Sequence, residues 1–185
     1  MSKKGTGLLP LKVTVALAML SAISIICGKF LQIPGGDVLR FSFENLPIIF
    51  AGIVFGPVAG LLVGTVADLV GCVMVGYTIN PIITAGAASV GLLSGIASML
   101  LRKTPLAVRV SFSVLIAHIV GSVVIKTFGL ASFYDMPFTI LMLWRLLNYV
   151  IVGSIEGVLL FILLKNKMIR GALSSFTGKS AEARK

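Results

Sequence analysis

Charge is the scarcest ingredient of this chain. Of its 185 residues only 12% are Asp, Glu, Lys or Arg, while 57% are hydrophobic; a soluble domain carries about 25% charged residues. The shortage excludes an ordinary water-soluble domain and points to the membrane class. Histidine occurs once and cysteine twice. Cys27 and Cys72 lack metal-ligand spacing and read as small apolar packers, so neither a metal cluster nor a disulfide framework is expected. His118 stands mid-segment with no second ligand nearby and reads as a packing or hydrogen-bonding residue. No serine sits in a nucleophile elbow. Thr177-Gly178-Lys179-Ser180 resembles the end of a phosphate loop, but Leu173 stands where its first glycine belongs, so no nucleotide-binding motif is present. No catalytic residue, metal or cofactor is assigned.

Long apolar runs are what the chain has in abundance. Breakers and hydropathy divide them into six helical segments near 11–28, 45–55, 57–76, 81–101, 108–129 and 137–164. At about 20 residues per crossing plus short connections, the length allows five or six transmembrane helices. The second is short, fenced by Pro47 and by Phe55-Gly56-Pro57, and is expected to enter from a structured loop. Nothing before Lys29 suits a signal-peptidase cleavage site, so the first block is read as a retained span. The expected fold is an all-α, six-helix membrane protein. A transmembrane binding domain over 1–165 precedes a basic tail over 166–185.

The net charge of +10 follows topology rather than nucleic acid. An inside N-terminus gathers twelve of the sixteen Lys and Arg residues on one side. It leaves Lys29, Arg40, Lys126 and Arg145 to the outer side or the membrane, which makes both termini cytoplasmic. Small residues recur at helical spacing: Gly60, Gly64, Asp68 and Gly71 on the third segment, and Ala87, Gly91 and Gly95 on the fourth. Such faces let helix backbones approach closely in lipid. Ala18 and Ala22 repeat the pattern on the first segment, where packing within the chain and docking of a partner helix both remain open.

Three ionisable residues, Asp68, Arg145 and Glu156, fall inside spans. A charge there costs roughly 2.5–3.5 kcal/mol on insertion scales, so it faces a bundle interior or a polar cavity. Arg145, Asn148, Tyr149 and Glu156 share one face of the last segment, with Trp144 beside it. Tyr77 and Asn80 occupy the turn between the third and fourth segments. In the loop 29–44, Pro34-Gly35-Gly36 signals a turn, and Leu39 to Phe43 alternates like an extended segment. Its Phe41 and Phe43 share one face, with Arg40 on the other. Arg40, Lys126 and Arg145, interleaved with Phe41, Phe43, Tyr77 and Trp144, suit a flat organic anion: rings stack, and carboxylates pair with cations. Blander readings stand beside these. Lys126 snorkels to the interface, Trp144 is a belt aromatic, and Asp68 pairs with Arg145 to hold the bundle together.

The run Leu39-Arg40-Phe41-Ser42-Phe43-Glu44-Asn45-Leu46-Pro47, followed by Ala51-Gly52, Phe55-Gly56-Pro57-Val58-Ala59-Gly60 and Ala67-Asp68, resembles the S components of energy-coupling-factor (ECF) vitamin transporters, the folate-specific type in particular. The likeness extends over nearly the whole chain. It implies a multi-pass subunit of the bacterial plasma membrane that is not an enzyme. Such a subunit captures a vitamin from outside and docks on a T component driven by two ATPase subunits, which use the ATP. Ala18 and Ala22 would form the docking face. Arg40, Lys126 or Arg145 would meet folate's carboxylates, and Asp68, Asn80 or Asn148 would read the pterin edge. Riboflavin, thiamin and pantothenate remain alternative ligands, and a stand-alone channel or an intramembrane enzyme are alternatives of another class.

Overall fold

A computed structural model describes residues 10–34, 40–134, 137–169, 171 and 173. The chain forms α1 (Leu11–Ile25, continued by one wide π-helical turn, Ile26–Phe30), then strands β1 (Ile33–Pro34) and β2 (Arg40–Phe41). After these come α2 (Asn45–Phe55), α3 (Pro57–Val75), α4 (Pro81–Leu100), α5 (Leu106–Phe133) and α6 (Phe138–Lys165). The two strands pair antiparallel, Ile33 opposite Phe41 and Pro34 opposite Arg40. The expected extended segment is thus present at Arg40 and Phe41. The Gly35-Gly36 turn, and most of the basic tail, lie outside the described residues, as do the side chains of Arg40 and Tyr134.

Among the described residues, five helices are long and apolar enough to cross a membrane, and α2 is a shorter apolar helix. Eleven residues rise only about 16 Å, roughly half of the hydrocarbon core. This helix is sealed among its neighbours: Ile49 and Ala51 are fully buried and pack in one cluster with Val63, Val90, Val110, Val114 and Leu160. Exposed aliphatic residues instead line the outer faces of α1, α3, α5 and α6, the surface that lipid covers.

Local chemistry sets the helix ends. Gly56 has φ 101°, a conformation closed to residues with a Cβ. It turns the chain from α2 into α3, whose first residue is Pro57. Asn80 begins α4 as an N-cap: its side chain accepts from the Ile82 and Ile83 N–H groups at 2.9 and 3.4 Å. The small-residue faces of α3 and α4 pack on each other. A Cβ built on Gly60, Gly64 or Gly91 would overlap the backbone of the facing helix.

One feature is absent from the expected pattern. Where the sequence predicts a single regular helix over 108–129, α5 widens to π-helical turns over Ala117–Ile125. The Lys126 N–H reaches back five residues to the Gly121 carbonyl. Hydropathy does not register this change, because an average over a window of residues is the same whichever carbonyl each N–H reaches.

Candidate functional site

The described residues place four charged side chains around one small hollow at the end of the bundle next to the β-hairpin. Ser24, Ile25 and Lys29 reach it from α1, Glu44 from the segment before α2, and Ile48 from α2. Ala67 and Asp68 come from α3, Ala87 from α4 and Lys126 from α5. Lys126 donates to Glu44 Oε1 at 2.7 Å. The Thr84 hydroxyl donates to Asp68 Oδ2 at 2.6 Å. Lys29 holds its ammonium 5.5 Å above the Tyr77 ring. The hydroxyl of Ser24 donates to the Glu44 carbonyl at 2.6 Å and anchors that segment to α1.

Glycines make the room for these groups. A Cβ on Gly28 would come within 2.7 Å of Glu44 Oε2, one on Gly86 within 2.6 Å of Lys126 Cγ, and one on Gly71 within 3.0 Å of Lys29 Cε. Burial by itself would raise the Glu44 carboxyl. The charge and hydrogen bond of Lys126, followed by Lys29 and Arg145, overcome that and hold it down at about 2. Glu44 is therefore a carboxylate throughout the physiological range. The hollow measures only about 10 Å³, about the room one water needs.

The sequence-predicted residues separate into groups. Lys126 and Asp68 line the hollow. Asp68 is bonded to Thr84 and not to Arg145. Arg145 turns toward α5, donating from Nε and Nη2 to the Ser122 carbonyl at 3.3 and 3.0 Å, and from Nη2 to the Tyr149 hydroxyl at 3.3 Å. The π-helical stretch explains this choice, since it leaves a carbonyl on α5 for a guanidinium on α6. Tyr149 then stacks on His118, ring centroids 4.9 Å apart. His118 Nε2 meets Glu156 Oε2 at 2.7 Å, with Glu156 fully buried. The shared face of Arg145, Tyr149 and Glu156 is thus directed at α5 and not at the hollow.

The remaining candidates lie around these two clusters. Asn80 is buried, and besides capping α4 its amide donates to the Gly129 carbonyl at 3.0 Å. Asn148 is buried on α6. Phe41 in β2 and Phe43 just after it are half-buried, and Tyr77 is partly exposed beside Lys29. Trp144 is 46% exposed on α6 and takes no part in the lining of the hollow. Ala18 and Ala22 lie on an exposed face of α1 among Val15, Met19 and Ile23. Lys29 and Glu44 were not predicted as site residues. Their signal was available: each is a charge at an edge of the first loop, and Gly28 adjoins Lys29.

A larger hollow of about 480 Å³ opens between α5 and α6, bordered by Leu115, Ile119, Leu146, Val150 and Val158 with His118 and Tyr149 in its wall. Its rim is exposed aliphatic surface, which a bilayer covers. The charged hollow gathers four ionisable side chains, whereas the polar groups of the larger one are Ser111, His118, Tyr149 and Ser154. Among the described residues, no three His, Cys, Asp or Glu side chains gather to hold a metal.

The family model described as "ECF transporter, substrate-specific component" matches residues 12–177. Among solved structures, FolT bound with folic acid is similar at a TM-score of 0.68 and 22% identity, over 83% of this chain and 93% of that one. The S component of a bacterial ECF transporter gives a TM-score of 0.66 at 22% identity, over 87% and 97%. The S component for biotin from an ECF-type ABC transporter gives 0.60 at 17%, over 84% and 92%. No curated protein sequence matches significantly. The helical membrane architecture and a family match over most of the chain agree: this protein belongs to the substrate-specific components of ECF transporters, multi-pass subunits of the bacterial plasma membrane that bind a substrate and are not enzymes.

Proposed function

We propose that this S component captures folate at the hollow that Lys126 and Asp68 line. The observation that carries the reading is a cation and a carboxylate, both borne by membrane-spanning helices, facing one hollow. Folate carries carboxylates at one end and a flat pterin with parallel N–H donors at the other. Lys126 answers the carboxylates by charge-assisted hydrogen bonding, while Asp68 is held beside it by Thr84. Phe41, Phe43 and Tyr77 border the same end of the bundle and supply stacking faces. The similarity to FolT bound with folic acid supports this choice of ligand. The hollow has to widen for it, because sites for molecules of this size measure roughly 300–1,000 Å³.

In this reading the loop end faces outward and both termini face the cytoplasm, as the distribution of Lys and Arg favours. The exposed small face at Ala18 and Ala22 docks on the T component, close helix packing being the use such faces have in lipid. Two ATPase subunits then supply the energy for which this chain has no motif.

Calorimetric titration of the purified protein with folic acid, biotin, riboflavin and thiamin tests the ligand. Folic acid is expected to bind at least about a hundredfold tighter than the other three, a difference of about 2.7 kcal/mol. Tight binding of biotin or thiamin in its place would refute the folate assignment.

A further inference from the structure

We infer that Glu44 is an internal counter-anion for Lys126, which an anionic ligand must displace to enter, so that Glu44 competes with ligands bearing a carboxylate and weakens their binding. The inference rests on the reading of this hollow as the substrate site.

Three observations carry it. The hollow is closed by its own ions: Lys29 and Lys126 face Glu44 and Asp68, a formally neutral set that offers no net attraction to an arriving anion. Lys126 is already engaged at 2.7 Å, and it is the better-sealed partner, with 6% of its side chain exposed against 26% for Glu44. The two partners also differ in mounting. Lys126 stands on the long spanning helix α5, whereas Glu44 precedes α2 on the short segment that follows β2. When the pair opens, Glu44 is therefore the partner placed to move, and Lys29, which lines the same hollow, can receive it.

An incoming carboxylate replaces one Lys126 ion pair with another, and the buried ammonium is never left alone. A neutral molecule offers Lys126 no such replacement and leaves the Lys126–Glu44 pair closed, because opening it would strand a buried charge.

The test compares wild type, Glu44→Gln and Gly28→Ala. The first removes the competing charge. The second keeps the charge and crowds Glu44 off its position, because the new methyl would meet Glu44 Oε2 and Cβ at 2.7 and 2.8 Å. Calorimetry uses folic acid and, as the neutral probe, pterin, which has the ring without a carboxylate. Both variants are expected to bind folic acid about tenfold tighter than wild type, with pterin affinity unchanged. Unchanged or weaker folic acid binding by Glu44→Gln would overturn the inference and make Glu44 a structural residue or a ligand contact. If Glu44→Gln does not fold, Gly28→Ala decides on the same criterion. If folic acid fails to bind wild type, the folate reading falls, and the inference is judged by acetylation of Lys126 with acetic anhydride, read by mass spectrometry on ligand-free protein. Modification roughly fivefold faster in Glu44→Gln supports the counter-anion role; equal rates refute it.

Discussion

Two side-chain contacts of the same length, each made by a glutamate, lie in this protein's polar interior. Lys126–Glu44 and His118–Glu156 are each 2.7 Å long. His118–Glu156 ties α5 to α6, with Tyr149 stacked on the imidazole and neither side chain more than 5% exposed. Lys126–Glu44 joins a helix to a connecting segment, borders a hollow, and leaves its carboxylate partly open. Equal distance therefore conceals unequal function. The first pair has the construction of a rivet and the second that of a latch.

Breaking each pair separately sharpens the contrast. Lys126→Met is expected to produce the largest change, lowering folic acid affinity by at least about a hundredfold in calorimetry, since a partner left with an unpaired charge typically costs 2–5 kcal/mol. Glu156→Ala should act on stability instead. A buried polar group left without its hydrogen-bond partner costs about 1–3 kcal/mol, to be read as a lowered denaturation midpoint in detergent, with folic acid affinity of the folded fraction within about threefold of wild type. Equal loss of binding in both variants would abolish the distinction between the pairs.

Arg145→Ala occupies a middle position. Its guanidinium serves Ser122 and Tyr149, so a loss of about 1.5–3 kcal/mol in stability and a smaller loss of binding than in Lys126→Met are expected from parallel melts and titrations. The smallest effect concerns pH. Glu44 is held below its ordinary value of 4.5, at about 2. Its contribution to stability is fully present above about pH 4.5 and is lost as pH falls toward 2. Melting temperatures of wild type should decline through that window, and Glu44→Gln should remove this part of the decline.

How far the sequence was legible varies from place to place. Helix positions were readable because apolar runs, Pro57, Pro81 and Asn80 mark spans and ends by local chemistry. The packing of α3 on α4 was readable from glycines spaced four apart, because helical spacing alone aligns them. The grouping of charges was less readable. Arg145, Asn148 and Glu156 were correctly placed on one face, but a helical face gives an azimuth without naming the neighbour it meets. The π-helical turns of α5 decided that neighbour, drawing Arg145 to the Ser122 carbonyl. In the sequence Lys29 stands as an outer-side charge and Glu44 as part of the loop motif, and neither was assigned to the site.

The sequence alone determined a polytopic membrane fold with a short second helix, and it supplied the family motifs, since transfer of apolar side chains and the geometry of Pro and Gly act over a few residues. Only the tertiary structure decided which charges meet. Ion pairing depends on distances of a few ångströms between residues 82 positions apart in the case of Lys126 and Glu44, and no local rule in the chain encodes such a distance.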